Sequence, residues 1–361
     1  MQLPLDCIDW GSLVSLVAQA NAALARYDGI LENMVNPALL LSPLTTQEAV
    51  LSSRIEGTQA TLEEVLEFEA DPRRKIEPNK RADIQEIINY RQAMQHAVEL
   101  LEKRPLSLNL IRELHSILLD SVRGANKAPG EFRRIQNWIG PPGCSIEEAT
   151  FVPPSPDMLP DALDNWEKYF HFDEKERLVQ LAVIKAQFEL IHPFIDGNGR
   201  IGRMLVPLFL YEKRLLSKPM FYLSAYLERN RELYYQRLNA ISEKNDWDGW
   251  IRFFLTAVTD QAKDNTRKAR AILDLYEEMK QRVPEITRSQ YAIQAIDALF
   301  ASPVFQSADF VRRSRIPKDS AYRVLSELKQ AGIVQDIREG RGRRAAIMIF
   351  SKVLEITENM R

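Results

Sequence analysis

The chain has 361 residues, 45% of them hydrophobic, with 48 Lys and Arg against 50 Asp and Glu and a net charge of −2. That length supplies cores for two or three domains, and the balance of charge excludes a chain that seeks polyanions as a whole, although local basic patches survive the average. Two distant cysteines, Cys7 and Cys144, exclude a disulfide framework and a Cys metal site, no apolar run reaches the ~18 residues of a membrane span, and Met1-Gln2-Leu3-Pro4-Leu5-Asp6 lacks a basic segment leading into an apolar one, so a cytoplasmic protein with no membrane partner is expected.

Apolar residues recur at helical spacing from the start, at Leu13, Leu16, Val17 and Ala20. Thr45 with Glu48 reads as a capping box opening a short helix that Gly57 ends, and Thr61 with Glu64 reads as a second box. Ile84, Ile87, Ile88 and Tyr90, then Leu108, Ile111, Leu114, Ile117 and Leu118, continue the pattern, which makes the class mainly α. The exception lies between Pro129 and Pro156. Residues 132–139 alternate loosely, Gly140-Pro141-Pro142-Gly143 marks a turn, and Thr150-Phe151-Val152 resumes, which predicts a β-hairpin. Helical spacing returns at Leu178, Leu181, Ile184, Phe188 and Ile191.

Downstream, Leu223-Ser224-Ala225-Tyr226 and Arg231 to Tyr235 read as helical, and an amphipathic stretch runs from Trp247 to about Val283, where Pro284 closes it. Tyr291 to Phe300, Ser307 to Arg313 and Asp319 to Ala331 read as three helices. Strands follow at Ile333 to Ile337 and Ala346 to Phe350, around a turn bearing Arg341, Arg343 and Arg344. Three helices and a hairpin resemble a winged helix. Its third helix with Ser320, Tyr322 and Arg323, and the basic turn, could meet DNA phosphates, although the same shape also serves protein interaction or dimerisation.

The chemistry concentrates in His192-Pro193-Phe194-Ile195-Asp196-Gly197-Asn198-Gly199-Arg200-Ile201-Gly202-Arg203. In the Gly197-Asn198-Gly199 turn, missing side chains let successive backbone N–H groups converge on an oxyanion. Gly199 or Arg200 opens the next helix, so a phosphate there meets first-turn N–H groups, through Ile201 and Gly202, and the positive end of the helix dipole. Arg200 and Arg203, three apart, offer forks from one side of that turn. Asp196 is the kind of carboxylate that holds Mg²⁺ on a nucleotide, and His192 is the group here able to take a proton near neutral pH. Gly197-x-Gly199-x-x-Gly202 also fits a dinucleotide fingerprint, but a helix precedes it where that fold needs a strand, and no Walker-type loop is present.

These twelve residues resemble the signature of the Fic family, H-x-F-x-(D/E)-G-N-G-R-x-x-R, at every specified position. Ser52-x-x-x-Glu56-Gly57 resembles the family's inhibitory motif, (S/T)-x-x-x-E-(G/N), placed on the N-terminal side of the core. The resemblance implies a Fic-type helical core with a β-hairpin flap and a division into an N-terminal region with the inhibitory helix (1–78), a catalytic core (79–283) and a winged-helix domain (284–361). It implies protein adenylylation, transfer of AMP from ATP with Mg²⁺ to a Ser, Thr or Tyr hydroxyl of a protein substrate, self-modification included.

In that chemistry His192 is the general base, Asp196 holds the metal, and Gly197, Asn198, Gly199, Arg200, Ile201, Gly202 and Arg203 bind the phosphates. Tyr235 would line the adenine pocket, and Ile135, Gln136, Asn137, Trp138, Ile139 and Gly140 would form the flap edge that docks a target segment by strand addition. Glu56 would pair with Arg203 and so inhibit. An acid in the last turn of a helix is locally disfavoured by the dipole, which fits a placement made for another reason. Other readings stay open: a different donor, removal of AMP with Glu56 placing a water, or a DNA-binding regulator whose core senses nucleotides, against which the intact His192 argues. Homodimerisation is also left open.

Overall fold

The computed structural model describes residues 2–120, 127–141, 143–339 and 345–359. Helices carry most of them: α1 (Trp10–Asn33), α2 (Pro37–Leu40), α3 (Ser42–Ile55), α4 (Leu62–Ala70), α5 (Pro78–Leu101), α6 (Leu108–Leu118), α7 (Leu159–His171), α8 (Arg177–Ile191), α9 (Asn198–Glu212), α10 (Ser224–Arg229), α11 (Arg231–Lys244) and α12 (Trp247–Thr287). Then come α13 (Ala292–Ala301), β1 (Val304–Gln306), α14 (Ser307–Ser314), α15 (Lys318–Gln330), β2 (Gln335–Arg338), β3 (Ile347–Ile349) and α16 (Ser351–Asn359). The chain is mainly α, as its periodicity predicts. Two compact units divide it, one of residues 1–28, 51–57 and 88–263, the other of residues 29–50, 58–87 and 264–361.

The first unit is built around α8. Every residue from Leu178 to Phe188 is buried, so the helix is enclosed on all faces rather than amphipathic. Burying each large apolar side chain there contributes about 1.5–3 kcal/mol. Two indoles fasten it: Trp166 Nε1 donates to the Ile184 carbonyl (2.9 Å) and Trp250 Nε1 to the Ala182 carbonyl (2.8 Å). Glu176 caps its start by accepting from the N–H groups of Leu178 (2.7 Å) and Val179 (3.0 Å). α9 packs against α8 and carries a buried run from Ile201 to Leu210.

The hairpin of this unit forms, and among the described residues it pairs through one antiparallel bridge, Ile139 with Phe151. Loose alternation overstates it because Pro141, Pro153 and Pro154 withdraw N–H groups from a ladder, and residues 146–148 form a 3₁₀ turn between the arms. Two further expectations change. α3 starts at Ser42, three residues before Thr45, whose hydroxyl donates to the Leu41 carbonyl (3.2 Å) inside the helix instead of capping it. Pro284 does not end α12, which runs on to Thr287: a missing N–H so near the end costs little, and Arg288 N–H still bonds the Pro284 carbonyl (2.9 Å). The box at Thr61 and Glu64 forms as expected.

In the second unit β1, β3 and β2 form an antiparallel sheet in that order, with Val304 opposite Ile349 and Gln335 opposite Ile349 on the other side. α13, α14 and α15 match the three expected helices, whereas β1 and α16 add to them. α4 joins this sheet: Leu62, Leu66 and Ala70 share one apolar cluster with Val304, Ile347, Ile349 and Leu354. Lys318, Tyr322 and Arg323 lie on the exposed side of α15, and the Arg323 guanidinium faces Glu327. Arg341, Arg343 and Arg344 lie outside the described residues.

Candidate active site

α8 ends at His192, whose backbone is left-handed (φ 49°, ψ 60°). For a residue with a Cβ that conformation costs about 1–3 kcal/mol and persists only where surroundings impose it. Arg133 imposes it. Its Nε donates to the His192 carbonyl (2.9 Å), its Nη2 to the Ile191 carbonyl (3.4 Å), and its backbone N–H to the Pro193 carbonyl (2.9 Å). A buried cation at the last carbonyls of a helix also suits the dipole.

The His192 ring is oriented by the Glu189 carbonyl, 3.3 Å from Nδ1. A carbonyl only accepts, so Nδ1 carries the proton and Nε2 keeps its lone pair. Burial lowers the pKa of His192 against the opposing pull of Glu189 and Glu56, which leaves the imidazole neutral around pH 7.

Past Pro193 the loop turns over Phe194, which is fully buried and stacks on His115 with centroids 3.7 Å apart. Gly197 then takes φ +79° and α9 starts at Asn198 with no side-chain cap. The Asn198 side chain turns back onto the loop, accepting from Phe194 N–H and donating to the Phe194 carbonyl, both 2.8 Å, so it contributes only backbone to the turn. Asp196 Oδ1 accepts from Gly197 N–H (2.6 Å) and from Arg200 Nη2 (3.2 Å), while its side chain remains 45% exposed. A carboxylate held at one oxygen and open to solvent fits a Mg²⁺ ion that keeps most of its water and phosphate ligands. Among the described residues no cluster of three or more His, Cys, Asp or Glu could hold a metal alone.

Glu56 follows α3 directly, and Gly57 turns the chain with φ +103°. The Glu56 Oε1 accepts a 2.6 Å bond from Arg203 Nη2, and Ser52 takes two more, Nε to its hydroxyl (2.8 Å) and Nη2 to its carbonyl (2.9 Å). Burial pushes the Glu56 carboxyl up, but Arg203, helped by Arg200 and His192, overrides it and holds the group below the usual carboxylate range. Burial pulls the Arg203 guanidinium down, and Glu56 more than reverses that. Gly199 faces this pair: a Cβ there would collide with Glu56 Oε1.

One group of residues escapes sequence reasoning. Lys185, fully buried in α8, donates to the Tyr234 hydroxyl (2.8 Å) and to Glu189 Oε1 (3.2 Å), and Tyr234 donates to the same oxygen (3.1 Å). The available signal was a Lys and a Glu four apart inside a largely apolar helix. Tyr235, the predicted pocket residue, lies beside it, half-exposed, with Arg231 5.6 Å from its ring; its hydroxyl is raised chiefly by burial and also by Glu56.

Of the predicted flap edge, Ile135, Trp138 and Ile139 are exposed, whereas Asn137 donates inward to the Phe194 carbonyl (3.0 Å) and Gln136 to the Pro153 carbonyl (2.9 Å). Gly140 sits against Cys144, where a Cβ would meet the thiol.

Comparison with known proteins gives a consistent result. The chain matches the Fic/DOC family N-terminal description over residues 14–99 and the Fic/DOC family description over residues 105–210, together more than half of it. It is 27% identical over 293 residues to the protein adenylyltransferase Fic of Drosophila grimshawi, covering 77% of this chain and 50% of that protein. A probable protein adenylyltransferase of Aquifex aeolicus is 29% identical over 210 residues, 56% of this chain and 57% of the relative. The chain thus spans about half the length of these curated relatives. The crystal structure of a Fic family protein from Desulfovibrio desulfuricans superposes with a TM-score of 0.61 at 20% identity, covering 97% of this chain and 98% of the other. Fic-1 from C. elegans superposes at 0.53 with 19% identity, over 70% and 72%.

Proposed function

The chain belongs to the Fic/DOC family, and on that premise we propose that it transfers AMP from ATP to a Ser, Thr or Tyr hydroxyl of a protein, itself included, under restraint by Glu56. The observation that carries this reading is the placement, on one loop, of an imidazole with an accepting nitrogen and a glycine turn that opens a helix.

In the reaction, His192 Nε2 takes the proton of the target hydroxyl, whose oxygen bonds the α-phosphorus as the bridging P–O bond to the β-phosphate breaks and pyrophosphate leaves. The turn of Gly197, Asn198 and Gly199, with the α9 N–H groups of Ile201 and Gly202 and the helix dipole behind it, takes the charge that develops on the α-phosphate oxygens. Arg200 and Arg203 hold the β- and γ-phosphates, and Tyr235 faces the adenine. Asp196 would hold Mg²⁺, which when bound neutralises charge on the phosphates. The backbone of Ile135 to Gly140 docks the target by strand addition. Glu56 restrains the reaction because a guanidinium paired with a carboxylate is less available to the terminal phosphate, and the carboxylate repels that phosphate.

Residues 1–78 carry the restraint in this reading, 79–283 the catalytic core, and 284–361 a winged-helix module, which the helices α13 to α15 and the β1-β3-β2 sheet support. The test is incubation of the protein, Glu56→Gly, and Glu56→Gly with His192→Ala, with Mg²⁺ and ATP labelled on the α-phosphate, followed by intact mass. The reading expects an AMP-sized label on Glu56→Gly that disappears in the double variant. Absence of label from all three, with added protein targets present, overturns it.

A further inference from the structure

The peptide unit between Asp196 and Gly197 decides whether the loop can take an anion. In a trans peptide the C=O and N–H point in opposite directions. The Asp196 carbonyl points at His115 Nε2 (2.9 Å), and the Gly197 N–H accordingly points the other way, to Asp196 Oδ1 (2.6 Å). A peptide followed by glycine flips easily, since glycine tolerates either sign of φ, and a flip here would turn a carbonyl oxygen toward the phosphates.

His115 is placed to prevent it. The residue is buried on α6, and its ring is sandwiched flat on Phe194, interplanar angle 9°. Its Nδ1 accepts from Gly130 N–H (2.9 Å). A backbone N–H only donates and a carbonyl only accepts, so these two partners fix one neutral tautomer, with the proton on Nε2. In the same way Arg133 holds the carbonyls of residues 191, 192 and 193, and Asn137 that of Phe194, so the loop's oxygens are drawn to donors on residues 115–137.

We propose that His115 is a positioning residue: by donating from Nε2 to the Asp196 carbonyl it locks the Asp196–Gly197 peptide in the orientation that aims Asp196 and the glycine turn at a Mg²⁺-bound nucleotide. The proposal rests on the nucleotidyl-transfer reading only for its activity arm.

Three substitutions separate the two ring nitrogens. His115→Gln keeps a donor where Nε2 stood, His115→Asn keeps an acceptor where Nδ1 stood, and His115→Ala keeps neither. All three lose the stacking on Phe194, so that loss cancels in the comparison. Each is made in Glu56→Gly, checked for an unchanged melting temperature, and titrated with Mg²⁺ and ATP by calorimetry alongside the rate of AMP transfer. His115→Asn and His115→Ala should weaken Mg²⁺-dependent ATP binding by about tenfold or more, the usual scale for groups that orient a metal ligand. His115→Gln should restore most of it.

Equal binding in all three, or no advantage of Gln over Asn, overturns the proposal. A second readout needs no nucleotide. In protein labelled with ¹⁵N-histidine, the imidazole missing from His115→Gln should show the Nε2–H tautomer, and an Nδ1–H or doubly protonated ring there overturns the proposal too. Should Glu56→Gly transfer no AMP, the adenylyltransferase reading fails while the binding and tautomer results still judge His115.

Discussion

Glu56 and Arg203, 147 positions apart in sequence, meet through a 2.6 Å bond from Nη2 to Oε1, and Ser52 binds the same guanidinium at its Nε and Nη2. The fully buried member of the pair is the arginine; the glutamate side chain remains 35% exposed. The carboxylate therefore lies on the solvent side of the pair.

Removing it should raise transfer. Glu56→Gly is expected to increase the rate of AMP incorporation by about 5–150-fold, the range of an ordinary coupling between two sites. Labelled ATP and a gel or mass readout measure it. A variant that binds ATP as well as the parent and transfers no faster contradicts the role of Glu56.

The pH dependence has a definite sign. His192 acts as a base only when neutral, and its pKa is lowered by burial, so the acid limb of kcat/KM should lie below the ordinary value of 6.5. Since Glu56 pulls that pKa upward, the limb in Glu56→Gly should move lower still. The Glu56 pair behaves oppositely: with a depressed pKa it stabilises the fold above the unfolded value of 4.5 and loses that contribution as pH falls through the folded value. Both shifts run downward, so around neutrality His192 stays neutral and the Glu56 pair stays charged, and modest acidification from pH 7 should not raise the rate. A rate that rises on acidification contradicts this.

Gly199→Ala should change sign with background. With Glu56 present, the added Cβ collides with its carboxylate and stability should drop. In Glu56→Gly that obstacle is gone, and alanine within a helix is favoured over glycine by roughly 0.5–1 kcal/mol. Urea unfolding of the four proteins measures a coupling of about 0.5–3 kcal/mol. Additive effects would place Gly199 away from Glu56.

Lys185→Met should destabilise the protein by about 3–5 kcal/mol, because it leaves Glu189 in a largely buried site without its cation. Adding Glu189→Gln should recover part of the loss. Thermal melts of the single and double variants decide it, and a single variant as stable as the parent would mean that water already serves Glu189.

Much of this site is legible from the sequence because its function depends on residue type at fixed local spacing. His192, Asp196, the glycine turn and the start of α9 fall within eight positions of one another, and helix rules place them. What supports them is not local. Arg133 and His115 reach the loop from 59 and 81 positions away, and nothing in their own surroundings announces it. The hairpin is legible in part for the reverse reason: alternation marks two arms that do pair at Ile139 and Phe151, but the prolines keep the ladder short. β1 is three residues long, too short for a period-2 pattern to register, and it exists because α4 and β3 cover it.

Residues 51–57 belong to the same compact unit as residues 88–263. A carboxylate tethered in this way acts like a ligand present at millimolar local concentration or above, whatever the dilution of the protein. On the proposed reading, diluting the protein would therefore not lift the restraint, whereas displacing the turn after α3 would.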